Sequence, residues 1–402
     1  MKRNISVTHW ITTLLVAFVV LSCVEEIDID EEFKFEDVIV IEATLTDEKK
    51  TQQFLLSRTY QFETEGPIPE QNAEVRVVVN GGENILFIEE KPGVYRSENE
   101  FAAETGVDYQ LQVTTNEGRS YQSPILQLTN SVPIENLTAE RQVNSIGNEI
   151  MAILVDSYDP TRQANYYRYE YEESYKIVAP DWARRDFVIY RQDSIEPDAV
   201  RPLEEKTCYN TVNSNSIILT STTNLSEDRV SGFSVRNISA DDPVISHRYS
   251  ILVKQYVQSL EAYTYYEILN QLSGSDNTLA QIQPGFISSN IRSTQDRNEK
   301  VLGFFQVSAV TEKRLFFNYE DFFPGEPLPP YFIECGRAAP PLVTPAIPPN
   351  YPLYDAIQGN LVKFLEENLN QGQLEGPFIT VPRACGDCTA LGTSEPPEFW
   401  EE

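Results

Sequence analysis

The chain of 402 residues carries 61 acidic against 31 basic side chains, a formal net charge of −30. This balance argues against nucleic acid as a partner, because a binding face must neutralise phosphates with Lys and Arg. With 41% hydrophobic and 11% aromatic residues, the chain can bury substantial cores, and its length suits two domains.

The first 22 residues have the features of a secretory signal peptide. Lys2 and Arg3 precede an apolar stretch over 11–21, which is shorter than the roughly 20 residues of a transmembrane helix. The stretch ends in Val-Leu-Ser-Cys at 20–23, which resembles the lipobox of bacterial lipoproteins. The resemblance implies cleavage after residue 22 and stable anchoring through more than one acyl chain on Cys23. The alternative is an ordinary signal peptide that ends near a cysteine by chance.

An acidic segment, 23–32, follows the predicted cleavage site. It is similar to the export signal found after the lipidated cysteine in Bacteroidota lipoproteins that reach the cell surface. The alternative is a solvated tether that holds the domain away from an anionic membrane. We expect an outer-membrane lipoprotein that faces the cell exterior. If the acidic segment is only a tether, the protein is still a lipoprotein, and only the membrane leaflet that carries it can differ.

Short strands then follow one another as far as residue 130. They are predicted at 38–45, 54–57, 74–79, 85–88, 93–95, 109–114 and 120–121. Asn80-Gly81 between two β-branched runs is a strong hairpin signal. This spacing predicts an immunoglobulin-like β-sandwich over 33–130, with a boundary at Val132-Pro133.

Residues 131–402 predict a larger β-rich domain with one or two short helices. Strands are expected at 149–156, 166–172, 216–221, 233–238, 247–256 and 302–310, and helices at about 259–273 and at 361–369. Ten prolines between 323 and 352 exclude central strands and helices, so an extended surface loop is predicted there.

Tyrosines alternate with charged residues along 166–172. Strand alternation places Tyr167, Tyr169 and Tyr171 on one face, and residues 168, 170 and 172 on the other. We interpret the aromatic stripe as core rather than as a ligand platform.

Four cysteines remain beside Cys23: Cys208, Cys335, Cys385 and Cys388. A redox CxxC needs a helix N-terminus within a βαβ unit, but here the CxxC lies in a C-terminal tail. A four-cysteine zinc site normally has two paired knuckles, but Cys208 and Cys335 are single. We therefore favour structural disulfides. Three pairings are possible. Because long loops restrict the unfolded chain more, we favour bonds from Cys385 and Cys388 to Cys208 and Cys335.

No catalytic constellation is recognisable in the sequence. His247 lies within a predicted strand, and GxSxG, HExxH, GxxxxGK[ST] and GxGxxG motifs are missing. Residues 156–159 and 241–242 lack the ligand pattern of a calcium loop, so we interpret their acids as exposed turn residues. We therefore predict neither an enzyme nor a cofactor or metal site.

Several segments together resemble a Bacteroidota lipoprotein family known as domain of unknown function 4249. They are 40–43, 93–95, 106–111, 118–123, 166–169, 208–209, 261–263, 289–291, 301–305, 385–388 and 399–400. The resemblance implies a surface-exposed, β-rich lipoprotein, often associated with TonB-dependent outer-membrane receptors. It supplies no catalytic residues.

We therefore expect a non-catalytic accessory binding subunit of a TonB-dependent transporter. The sequence does not identify its ligand. The alternative is a structural, adhesion or envelope-assembly lipoprotein. A third possibility, an unrecognised carboxylate hydrolase, requires an acid-lined cleft.

Overall fold

The computed structural model describes residues 36–60, 66–273, 287–369, 372 and 375–402. The predicted signal peptide, Cys23 and the acidic tether lie outside these residues. None of the helices within the described ranges is long and apolar enough to span a membrane.

The described residues form 22 strands and four α-helices. The strands are β1 Ile39–Thr46, β2 Gln53–Arg58, β3 Ile68–Pro69, β4 Glu74–Val79, β5 Glu83–Lys91, β6 Val94–Ser97, β7 Tyr109–Thr114, β8 Ser120–Gln122, β9 Ile134–Val143, β10 Glu149–Tyr158, β11 Tyr166–Val178, β12 Arg185–Arg191, β13 Ser194–Val200, β14 Thr207–Asn213, β15 Ile218–Ser221, β16 Arg229–Ser239, β17 Arg248–Val257, β18 Arg292–Ser293, β19 Val301–Ser308, β20 Val310–Asn318, β21 Val362–Glu367 and β22 Phe378–Pro382. The helices are α1 Leu260–Ser273, α2 Tyr319–Phe322, α3 Pro352–Gln358 and α4 Arg383–Gly386. The mainly β fold is confirmed.

The N-terminal unit is one folded-over sheet with the order β18-β8-β7-β4-β5-β6-β2-β1-β19, and β3 pairs with β2. Alternating residues of β1, from Ile39 to Leu45, point into its core, as the period of two in the sequence predicts. The predicted hairpin at Asn80-Gly81 is present, with positive φ at both residues. A β-rich unit is thus present where the immunoglobulin-like sandwich was predicted, and its strands are continuous in one sheet.

Two strands from much later in the chain complete this sheet. β19 runs parallel to β1 at one end of the strand order, and β18 pairs with β8 at the other. The loop between β18 and β19 is fixed by Glu299, whose carboxylate accepts a hydrogen bond of 2.6 Å from the Tyr121 hydroxyl. The core of the unit therefore extends beyond the predicted range 33–130.

The second unit is a sandwich of two sheets. The order is β16-β10-β9 in one sheet and β14-β11-β17-β20 in the other, with β15 paired to β11. The aromatic stripe of β11 faces the shared core: Tyr167 and Tyr169 are fully buried, and Tyr171 packs at its margin. The interpretation of these tyrosines as core is confirmed.

A small third cluster lies at the C-terminal end. It combines the β12–β13 hairpin, the β21–β22 pair and α3 around Ile195, Leu353, Phe364 and Phe378. The predicted helix over 361–369 is wrong, because this segment forms β21. Its short run of apolar residues fits the period of a helix as well as that of a strand, and pairing with β22 makes the segment a strand. The predicted helix near 259–273 is confirmed as α1.

Two disulfides attach the tail to the rest of the chain. They join Cys208 to Cys388 and Cys335 to Cys385, so each cysteine of the CxxC pairs with a distant partner. The favoured pairing is confirmed. The proline-rich stretch has no helix or extended strand between Phe323 and the start of α3, and the second disulfide holds it beside α4.

Candidate ligand-binding site

A cleft of about 550 Å³ opens where the N-terminal sheet meets the second sandwich. β1 and β2 form one wall, β11 and β17 form the opposite wall, and α1 with β19 closes one side. Its principal side chains are Glu42, Thr44, Lys50, Gln53, Arg168, Glu170, Tyr256, Tyr265, Tyr266 and Phe304. This volume lies within the range typical of small-molecule sites.

Strand alternation directs Glu42 into the cleft. Ile41 and Ala43 point into the core, so Glu42 lies on the outer face of β1, opposite Phe304 in the register with β19. The close approach of the two strands requires Gly303, whose φ is +88°. A Cβ at that position would lie 2.0 Å from the carbonyl oxygen of Ile41.

Arg168 forms part of the opposite wall, with 11% of its side chain exposed. Its guanidinium lies over two rings, 4.4 Å from the centroid of Tyr256 and 4.8 Å from that of Tyr266. It forms an ion pair with Glu170, whose other oxygen accepts a hydrogen bond of 2.8 Å from the Tyr256 hydroxyl. Cation–π contacts and the ion pair together fix this side chain.

Lys50, which lines the cleft, and Lys254, which shares the partner Glu48 with it, already have acidic partners. Lys50 pairs with Glu48, and Lys254 lies 2.9 Å from Glu48 and 3.4 Å from Glu312. Burial alone would raise the pKa of the Glu48 carboxyl, but its hydrogen bonds from Lys50 and Lys254 lower it. Burial acts on Glu170 in the same way, and Arg168 and the Tyr256 hydroxyl outweigh it, so the pKa of Glu170 is also lowered.

Glu42 differs from these acids. It is open to the cleft, yet it makes no hydrogen bond or ion pair with a described residue, and loss of bulk water alone raises the pKa of its carboxyl. Burial, together with Tyr266 and the Glu42 carboxylate, raises the pKa of the neighbouring Tyr265 to about 12. Glu42 itself is exposed to the cleft. It is thus an accessible carboxylate without a partner among the described residues.

A smaller apolar pocket of about 250 Å³ lies behind Phe304. Its lining includes Leu126, Val257 and Gln306. Gln306 is 4% exposed, donates a hydrogen bond of 3.0 Å to the Thr44 hydroxyl, and has an amide oxygen with no partner within the described ranges. Phe304 therefore separates the polar cleft from a small apolar space.

The described residues that the sequence offered as candidate sites are not among those that line the cleft. His247 borders another surface pocket beside Lys176, and burial followed by the Lys176 charge lowers its pKa. The described residues hold no cluster of three or more side chains suited to a metal ion. Cys23, the predicted lipidation site, is outside the described residues.

The interpretation of Asp159 as an exposed turn acid is wrong. It is 5% exposed, and its carboxylate accepts hydrogen bonds from the hydroxyl of Thr161 and from the backbone N–H groups of Thr161, Gln163 and Ala164. Burial would raise the pKa of Asp159, but these four hydrogen bonds lower it. The side chain organises the turn after β10, because loop N–H groups that are removed from water need an acceptor.

A family match covers most of the chain. Residues 24–314 match the family model described as domain of unknown function DUF4249. The chain belongs to this family. No curated protein matches it. Among solved structures it is similar to trypsin-activated alpha-2-macroglobulin from Escherichia coli, at 11% identity, a TM-score of 0.15, and over 56% of this chain and 15% of that one. This structural likeness is too low to support an argument.

Segments that are far apart in sequence meet at the cleft. Residues 40–43 contribute Glu42, residues 166–169 contribute Arg168, and residues 301–305 contribute Phe304. All three segments belong to the pattern that carries the resemblance to this family. The sequence did not identify Glu42 as a site residue; the available signal was a charged residue between the apolar Ile41 and Ala43 in the middle of a strand.

Proposed function

We propose that this chain is a surface-exposed outer-membrane lipoprotein, anchored through Cys23, that serves as a non-catalytic binding subunit of a TonB-dependent transporter. The lipobox at 20–23 and the acidic segment 23–32 support the location. The β-rich fold and the DUF4249 match support membership of the family. The resemblance to this family is the reason for expecting a transporter partner. The cleft supports a binding role.

The observation that carries the binding role is the state of the carboxylates at the cleft. Both oxygens of Glu170 accept hydrogen bonds, one from Arg168 and one from Tyr256. Both oxygens of Glu48 contact lysines. Among the carboxylates that the structure describes at the cleft, Glu42 alone has no hydrogen-bond or ionic partner and is open to a ligand. Hydrolysis by paired carboxylates needs two groups free to act on the substrate, so this arrangement favours capture over hydrolysis.

Crosslinking in intact cells followed by purification of the lipoprotein tests this function. We expect a large outer-membrane β-barrel to be recovered together with the chain. A Cys23→Ser variant should leave the membrane fraction and lose this partner. Consistent recovery of the chain alone would contradict the proposal.

The structural alternative makes a different prediction. Deletion of an adhesion or assembly lipoprotein should damage envelope integrity or attachment without changing the uptake of any nutrient. Deletion of a transporter subunit should reduce uptake of one class of nutrient while the envelope stays intact. Measuring both phenotypes in one deletion strain separates the two roles.

A further inference from the structure

The cleft contains one acidic group that the protein does not neutralise. Arg168 is paired with Glu170, Lys50 with Glu48, and Lys254 with Glu48 and Glu312. Glu42 stays without an ionic partner among the described residues. A ligand that enters the cleft therefore meets one carboxylate that has no ion-pair partner among the described residues.

Aromatic residues lie beside Glu42 in the cleft. Phe304 and Tyr265 pack against each other with ring centroids 5.1 Å apart, and Tyr265 contacts Tyr266 at 5.4 Å. Glu42 itself is exposed to the cleft. The site therefore offers an accessible carboxylate next to apolar ring surface.

We propose that the cleft binds an organic ligand through a positively charged ammonium group that pairs with Glu42. An ammonium presents three hydrogen-bond donors to the carboxylate and nearby oxygens, whereas calcium requires six to eight oxygen ligands. The cleft offers one open carboxylate and a volume of about 550 Å³. A free amine or the side chain of a basic peptide has the required chemistry. The inference names the ligand class of the site on which the proposed function rests.

Saturation-transfer NMR on the full chain in detergent, with n-butylammonium and the neutral n-butanol as probes, tests this inference. We expect the ammonium to bind with a dissociation constant on the order of millimolar, and butanol at least about tenfold more weakly, as the strength of a charged hydrogen bond implies. Glu42→Gln should weaken ammonium binding about tenfold and leave butanol unchanged. Because this substitution removes an unpaired charge, the fold should persist, which circular dichroism checks.

The control must exclude general attraction to an acidic protein. Glu83→Gln removes the same charge at the exposed start of β5, away from the cleft, and should leave ammonium binding unchanged. Equal binding to wild type and Glu42→Gln, or equal loss in both variants, would overturn the inference. Recovery of a barrel partner is measured without ligand, so failure of the ammonium test and failure of the transporter proposal are distinguishable.

Discussion

The disulfide between Cys208 and Cys388 should be a major source of stability. Its cysteines are 180 positions apart, whereas Cys335 and Cys385 are 50 apart. Restriction of the unfolded chain corresponds to about 5 kcal/mol for the longer loop and about 4 kcal/mol for the shorter, and measured losses are typically 2–5 kcal/mol. Since whole domains are stable by roughly 5–15 kcal/mol, either loss is a large fraction of the total.

The perturbation is the double replacement Cys208→Ala and Cys388→Ala, compared with Cys335→Ala and Cys385→Ala. Guanidinium unfolding followed by circular dichroism gives the free energy of unfolding of each variant. Reduced wild type is the control for the loss of the buried sulfur atoms, because reduction breaks the disulfide bonds and leaves the sulfur atoms in the protein. A loss below about 1 kcal/mol in the 208/388 variant, or a clearly larger loss in the 335/385 variant, would refute the reasoning.

Three further substitutions test individual features. Gly303→Val should destabilise the protein by at least about 2 kcal/mol in denaturant unfolding, because positive φ and contact with Ile41 oppose any side chain; a loss below half that value would show that the strands can separate. Asp159→Ala should lower the free energy of unfolding by about 3 kcal/mol, since the buried N–H of Ala164 and the partly buried N–H groups of Thr161 and Gln163 lose their acceptor, and an unchanged midpoint would contradict this role. Glu42→Gln should raise the melting temperature at pH 7. The pKa of Glu42 is raised by folding, so the wild type regains stability as the pH falls through that value, and the difference should disappear in acid; an equal difference at pH 7 and pH 4 would contradict the assignment.

Much of the strand pattern could be predicted because it is local. β1, β7 and β11 alternate between apolar and polar residues, and Asn80-Gly81 forces a turn whatever the rest of the chain does. β12 was missed, because all of its residues are exposed or half-buried and the strand has no clear apolar face. The residues of β21 favour a helix in local pattern for a related reason, since the pairing of β21 with β22 is not local information.

The cleft could not be predicted from local patterns. Alternation places Glu42 on the outer face of β1, but it does not reveal what covers that face. The answer depends on Arg168 and Phe304, which are more than 120 residues away along the chain and reach the cleft through the packing of separate units. With 61 acidic residues in the chain, spacing alone gives Glu42 no distinction. Only the three-dimensional arrangement identifies it as the acid of the cleft that has no partner among the described residues.

The proposed site of ligand capture is the cleft beside Glu42. A crystal structure of the full chain grown with n-butylammonium tests it most directly. We predict electron density for the probe in the cleft, with its nitrogen roughly 2.7–2.9 Å from a carboxylate oxygen of Glu42. Probe density at other acidic sites, with the cleft holding only water, would contradict the account.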